Sequence, residues 1–130
     1  MQPPPRADDY RSDLGLAGEQ AAAAYLIQLG YAIIEARWRC NFGEIDLIAR
    51  EDGDIVFVEV RTRSGRTHEL AFESVNPRKR AKLYALAEHY RETHGLSEQP
   101  CRFDVVAVAA RQARVGWEFR CEVLRDAVGW

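Results

Sequence analysis

Asp46 and Glu59 lie on either side of an Asp52-Gly53 pair, within a segment running from Gly43 to Arg61. Asp-Gly between alternating apolar runs is the strongest short-range hairpin signal, because both central residues of a type I′ turn take positive φ. With those two residues as the loop, Glu51 pairs with Asp54, Ala49 with Val56, Leu47 with Val58, and Asp46 with Glu59. Directly opposed Cβ atoms are roughly 5 Å apart and like charges there repel, so a cation is needed to offset the cost. Mg²⁺ or Mn²⁺ would suit such a pair, since these hard ions take oxygen ligands and keep several waters for phosphate chemistry. The plainer reading is a solvated polar face with cross-strand ion pairs, and the same count places Glu44 opposite Arg61.

Alternation sorts the hairpin into two faces. Ile45, Leu47 and Ala49 point one way with Val56, Val58 and Val60, and Glu44, Asp46, Glu59 and Arg61 point the other. Upstream, Ser12 or Asp13 caps a helix reaching Leu29, with Leu14, Ala17, Ala21 and Tyr25 at helical spacing and Gly30 as the stop. A strand follows over 31–39. Beyond the hairpin, a loop holds Ser64, Gly65, Arg66, His68 and Glu69, and Asn76-Pro77 then starts a second helix that ends near His94 and Gly95. Valine-rich 101–110 and then 115–124 read as strands. The order α-β-β-β-α-β-β predicts an α/β fold with a mixed central sheet flanked by helices.

With 130 residues, 47% of them hydrophobic, the chain suits one domain over 13–125, with 1–12 a disordered tail and 126–130 uncommitted. A net charge of −2 gives no global attraction to nucleic acid. Local charge differs: Arg78, Lys79, Arg80 and Lys82 crowd the first turns of the second helix, where cations oppose the helix dipole and a phosphate would relieve them. Arg63, with Arg37, Arg39 and Arg66, adds to that surface if they converge; otherwise the cluster is a solvated face. Cys40, Cys101 and Cys121 have neither disulfide nor zinc spacing and read as reduced thiols. His68, His89 and His94 lack ligand spacing. No apolar run approaches the roughly 20 residues of a membrane span, so a cytoplasmic protein without membrane association is expected.

Gly15-Leu16-Ala17-Gly18-Glu19, the alanines from Ala21 to Ala24, Gly30-Tyr31, the run from Gly43 to Ala49, Val58-Glu59-Val60-Arg61-Thr62-Arg63 and Arg102-Phe103-Asp104-Val105-Val106 together resemble the YraN family of small bacterial proteins. The resemblance covers about residues 14–108. It implies a restriction endonuclease-like core of the PD-(D/E)XK type, shared with Holliday junction resolvases. By that pattern Asp46 and Glu59 match the two acidic ligands of Mg²⁺ or Mn²⁺, joined by a backbone carbonyl at Val60. Arg61 falls where the superfamily has its lysine, and an acidic residue of the first helix, here Glu19, joins the site. On the residues alone, Glu19 is equally a first-turn charge favouring the helix dipole. Related nucleases often dimerise, which makes a homodimer an expectation of the resemblance.

Arginine at position 61 has chemical consequences. It cannot give up a proton, so it cannot act as a general base, although it can stabilise charge developing on a phosphate. Alternatively its guanidinium sits between Asp46 and Glu59, replaces the metal and leaves an inert site. Two functions follow: a divalent-metal-dependent nuclease acting on DNA or RNA with Asp46, Glu59, Arg61 and Glu19 as its catalytic set, or a nucleic-acid-binding or assembly module that keeps the fold without the chemistry. Asp104, following Arg102-Phe103, is expected to form a structural salt bridge at the start of its strand.

Overall fold

The computed structural model describes residues 7–64 and 76–127, with side chains from residue 13 onward. The expected loop with Arg66, His68 and Glu69 lies outside the described residues, as do positions 1–6 and 128–130. Helix α1 (Ala7–Gln28) is followed by β1 (Ala32–Cys40), β2 (Gly43–Glu51) and β3 (Asp54–Ser64), then helix α2 (Pro77–Thr93), β4 (Cys101–Gln112) and β5 (Trp117–Leu124). This is the expected order. α1 begins at Ala7 rather than at a cap on Ser12 or Asp13, because Ala7-Asp8-Asp9 already suits a first turn and nothing between it and Leu14 breaks a helix.

The five strands form one mixed sheet in the order β1-β2-β3-β4-β5. Only β3 and β4 are parallel, and α2 is part of the crossover that parallel pairing demands. The hairpin turns as predicted: Asp52 and Gly53 have φ of 50° and 85°, and the register holds from Glu51–Asp54 to Leu47–Val58.

The two-faced hairpin needs correcting. Leu47, Ala49, Val56 and Val58 pack with Ala22 and Leu26 beneath α1, as one apolar face would. The opposite face is apolar too: Ile48, Ile55 and Phe57 pack under Leu83, Leu86 and Tyr90 of α2. Ile45 joins this second layer instead of the layer of Leu47. A central strand covered on both sides has no solvated face, which is why β3 opens with an unbroken apolar run.

Both helix junctions follow local chemistry. At the end of α1, Gly30 at φ 101° lets its N–H donate to Ile27 O and that of Tyr31 to Leu26 O, a Schellman closure. At the start of α2, Asn76 Oδ1 accepts from the Lys79 N–H at 2.9 Å and Pro77 occupies the first position. The buried line of α1 is Gly18, Ala22 and Leu26, rather than the expected Leu14, Ala17, Ala21 and Tyr25, which are only half-buried.

The Arg102–Asp104 pair grows into a clamp that joins four segments. Asp104 is wholly buried and accepts from Tyr31 Oη at 2.7 Å, Arg102 Nε at 3.0 Å and the Asp126 N–H at 3.0 Å. Arg102 also reaches Glu51 at 2.6 Å and Asp54 at 2.9 Å, so the hairpin tip is tied to the start of β4. Arg125 closes the ring on Glu51 and the Tyr31 hydroxyl, both at 3.0 Å. Removing one partner of such a network leaves buried charge uncompensated. Asp104→Ala should therefore cost about 3 to 5 kcal/mol in urea unfolding, whereas Arg111→Ala, which breaks the exposed Arg111–Glu118 pair, should cost less than about 1 kcal/mol.

Candidate functional site

Regular pairing between β2 and β3 ends at Leu47–Val58, one step short of the expected Asp46–Glu59 pair. β3 continues instead along β4, pairing through to Ser64–Ala110. The Val60 N–H, left without β2 backbone, donates to Asp46 Oδ2 at 2.8 Å. A buried backbone donor must find a partner, and here the partner is a carboxylate side chain. Asp46 and Glu59 thus sit where two strands part, and both line a cavity of about 290 Å³ between the sheet and α2.

Negative charge is concentrated around Asp46. Burial pushes its carboxyl up, the charges of Glu19, Glu59 and Glu44 add to the effect, and the Val60 N–H only partly opposes it, so that it titrates near 7. Glu19 is raised as well, chiefly by burial, against the pull of Arg37. Arg37 Nε lies 3.5 Å from Glu19 Oε2 without hydrogen-bond geometry, and that buried oxygen has no hydrogen-bond partner. Arg37 itself has φ 56°, a left-handed conformation that costs an ordinary residue about 1 kcal/mol. It lies on β1 between the pairs Ala36–Leu47 and Trp38–Ile45.

Glu59 is better compensated. Its Oε2 receives Arg61 Nη2 at 3.2 Å, and its Oε1 pairs with Lys79 Nζ. Arg61 and Glu59 are nearly enclosed, while Lys79 is half-exposed. The expected cross-strand pair of Glu44 with Arg61 is replaced by Arg39–Glu44 at 3.0 Å, because β1 lies on that side of β2. Among the described residues no group of three or more His, Cys, Asp and Glu side chains is set to hold a metal ion.

The basic cluster divides by helical phase. Lys79 and Lys82, three residues apart on one side of α2, line the cavity with Asp46 and Glu59. Arg78 and Arg80 are exposed and do not line it, and Arg63 turns back to donate to Thr62 O at 2.9 Å. The Lys79–Glu59 pair was not readable from the sequence, where Lys79 belonged only to a patch. Gly18 was missed as well: a Cβ there would lie 2.9 Å from Thr62 Cγ2 and 3.0 Å from Thr62 Cβ on β3. Its lack of a side chain lets α1 approach the sheet and bring Glu19 beside Asp46.

The profile of the uncharacterised protein family UPF0102 matches residues 18–108. A UPF0102 protein of Roseiflexus castenholzii is 51% identical over 100 residues, covering 76% of this chain and 81% of the relative. One from Moorella thermoacetica is 52% identical over 78% of this chain and 85% of its own length. One from Dehalococcoides mccartyi is 42% identical over 92% and 95%. The chain belongs to the UPF0102 family.

The charge on Asp46 has a measurable consequence. A carboxyl whose folded value is raised from 3.8 to about 7 holds its proton more tightly in the folded state. Its stabilising contribution is complete below the unfolded value and is lost as pH rises through the folded one. Asp46→Asn keeps an oxygen for the Val60 N–H and removes the titration. The variant should match the parent in thermal unfolding near pH 4 and exceed it by on the order of 3 kcal/mol at pH 8. A stability difference independent of pH would contradict this assignment.

Proposed function

We propose that this member of UPF0102 is a divalent-metal-dependent phosphodiester hydrolase acting on DNA or RNA, with Lys79 supplying the lysine that position 61 lacks. The supporting observation is the Lys79–Glu59 ion pair at a cavity that Asp46 also lines. The resemblance to the nuclease superfamily makes phosphate chemistry the natural use of such a set.

The donors suit a hard cation. Asp46 and Glu59 with the Val60 carbonyl would hold Mg²⁺ or Mn²⁺, with Glu19 adjoining, and a buried carboxylate oxygen without a hydrogen-bond partner is a feature that a cation relieves. Such an ion supplies Lewis-acid charge to a phosphoryl oxygen and a more acidic water. The chain's own groups do the rest. Arg61 Nη2 fixes the orientation of Glu59 from the enclosed side. Lys79 approaches from the solvent side, so its ammonium is free to exchange Glu59 for a phosphate oxygen, to offset charge there and to give a proton to the leaving oxygen. Lys82 adds a second cation for the backbone of the nucleic acid. Arg61 cannot take Lys79's place as proton donor because it does not deprotonate.

A second reading rests on one observation: Glu59 is already met by two cations. A carboxylate neutralised from both sides is what a binding module without hydrolysis would present. Cleavage of labelled single strands, flaps, junctions and RNA with Mn²⁺ separates the two readings. Under the hydrolase reading the parent cleaves, Glu59→Ala does not, and Lys79→Ala loses about 10²- to 10³-fold in kcat with binding largely kept. If the parent binds nucleic acid yet cleaves no faster than Glu59→Ala, the hydrolase reading fails and the binding module replaces it.

A further inference from the structure

The turn between β1 and β2 carries a side chain that neither the fold nor the acid pocket accounts for. Cys40 pairs with Gly43, so Asn41 and Phe42 are the whole turn, and a phenylalanine stands where glycine and small polar residues are usual. Phe42 is 45% exposed. Its ring meets that of His89 on α2 with centroids 5.4 Å apart and planes at 70°, so the two do not close face to face. Half-buried Trp38 backs His89 at 5.9 Å between centroids. The turn also touches a cation of α2: a Cβ on Gly43 would lie 3.2 Å from Lys82 Cε. Lys82 therefore borders both the Asp46 cavity and the turn that presents Phe42.

We propose that Phe42 and His89 form a surface platform on which unpaired bases of a single strand stack, while Arg78 and Lys82 meet its phosphates. The proposal rests on the nucleic-acid reading above and names the strand form that the chain engages. Surfaces that hold single strands combine exposed rings with cations that follow the backbone, and the stacking tolerates any base. Both parts are present. Arg78, Lys82 and His89 recur at intervals of four and seven residues, along one side of α2. Neither Arg78 nor Lys82 has an ion-pair partner among the described residues. The acids beside the rings are already matched: Glu44 pairs with Arg39 at 3.0 Å and Glu88 with Arg91 at 2.6 Å. The uncompensated charge along this side of the helix is therefore positive, and an apolar partner would cover the rings yet leave those cations without a counterpart. Bases of an intact duplex are stacked on one another and offer Phe42 no face, so only an unpaired segment fits.

The test compares three probes of about 12 nucleotides on the metal-free full chain at one salt concentration: single-stranded oligodeoxyadenylate, an abasic strand of the same length, and a blunt duplex. The base-bearing single strand should bind at least about tenfold tighter than either of the others. Phe42→Ala should remove most of that advantage and leave binding of the abasic strand unchanged, whereas Phe42→Trp should keep it. Lys82→Ala should weaken all three alike. Equal binding of the base-bearing and abasic strands, an equal loss for both in Phe42→Ala, or a preference for duplex would overturn the platform and leave the nucleic-acid reading standing. A dimer in sedimentation that Phe42→Ala dissociates, with no discrimination between the strands, would overturn it in favour of a second copy of the chain. No binding of any probe would overturn both the platform and the nucleic-acid reading.

Discussion

A single backbone donor governs the site. Where the ladder between β2 and β3 ends, the N–H of Val60 has no β2 backbone partner, and Asp46 supplies an oxygen in its place. A carboxylate is thereby fixed in the interior at the fork of two strands, with Glu59 one residue away along the chain that made the fork. The rest of the arrangement follows from holding that charge in place. Asp46 cannot withdraw to solvent without orphaning Val60, and it cannot shed its negative neighbours, because Glu19 and Glu59 are set by their own elements. The site therefore holds a carboxyl whose charged form is disfavoured, first by burial and then by those neighbours, and a proton or a cation relieves it.

Three devices bring the neighbours close. A seam of small residues on α1, ending in a glycine that meets Thr62, lets the helix lie against β3 and delivers Glu19. Left-handed Arg37 sets a guanidinium 3.5 Å from Glu19, at a conformational cost that ordinary strand geometry would not incur. The Asn76 cap fixes the first turn of α2, and with it the place of Lys79 against Glu59. At the other end of the hairpin, the clamp of Arg102 on Glu51, Asp54 and Asp104 holds the two strands to β4. Stability is concentrated at one end of the hairpin and electrostatic tension at the other.

Much of this was legible in the sequence, for identifiable reasons. Asp52-Gly53 specifies the hairpin because few residues accept two positive φ values in succession, and the register from Glu51 to Leu47 follows from it. Asn76-Pro77 and Gly30 mark helix ends through chemistry local to the chain. The parting of β2 and β3 was not legible, since β3 stays paired with β4 on its other edge beyond the point where its ladder with β2 ends, a tertiary outcome with no local signature. The packing of α2 on the other side of the hairpin and of β1 beside β2, which gives Glu44 to Arg39, are tertiary as well. The packed face of α1 was hidden because Gly18 and Ala22 are too small to stand out as an apolar stripe, although their smallness is the reason for the contact. Arg61 was visible as a departure from the superfamily pattern, but Lys79 reaching the same carboxylate from a helix beginning sixteen residues after Arg61 was not.

Asp46 is held in a state that seeks positive charge. Carbon NMR titration of the Asp46 carboxyl, carried out without metal and again with Mg²⁺, measures this directly. A midpoint near 7 is expected without the ion, with a fall of at least about one unit once Mg²⁺ is present, since a bound cation favours the ionised form. An unshifted carboxylate midpoint near 4 under both conditions, with no change on adding Mg²⁺, would contradict it.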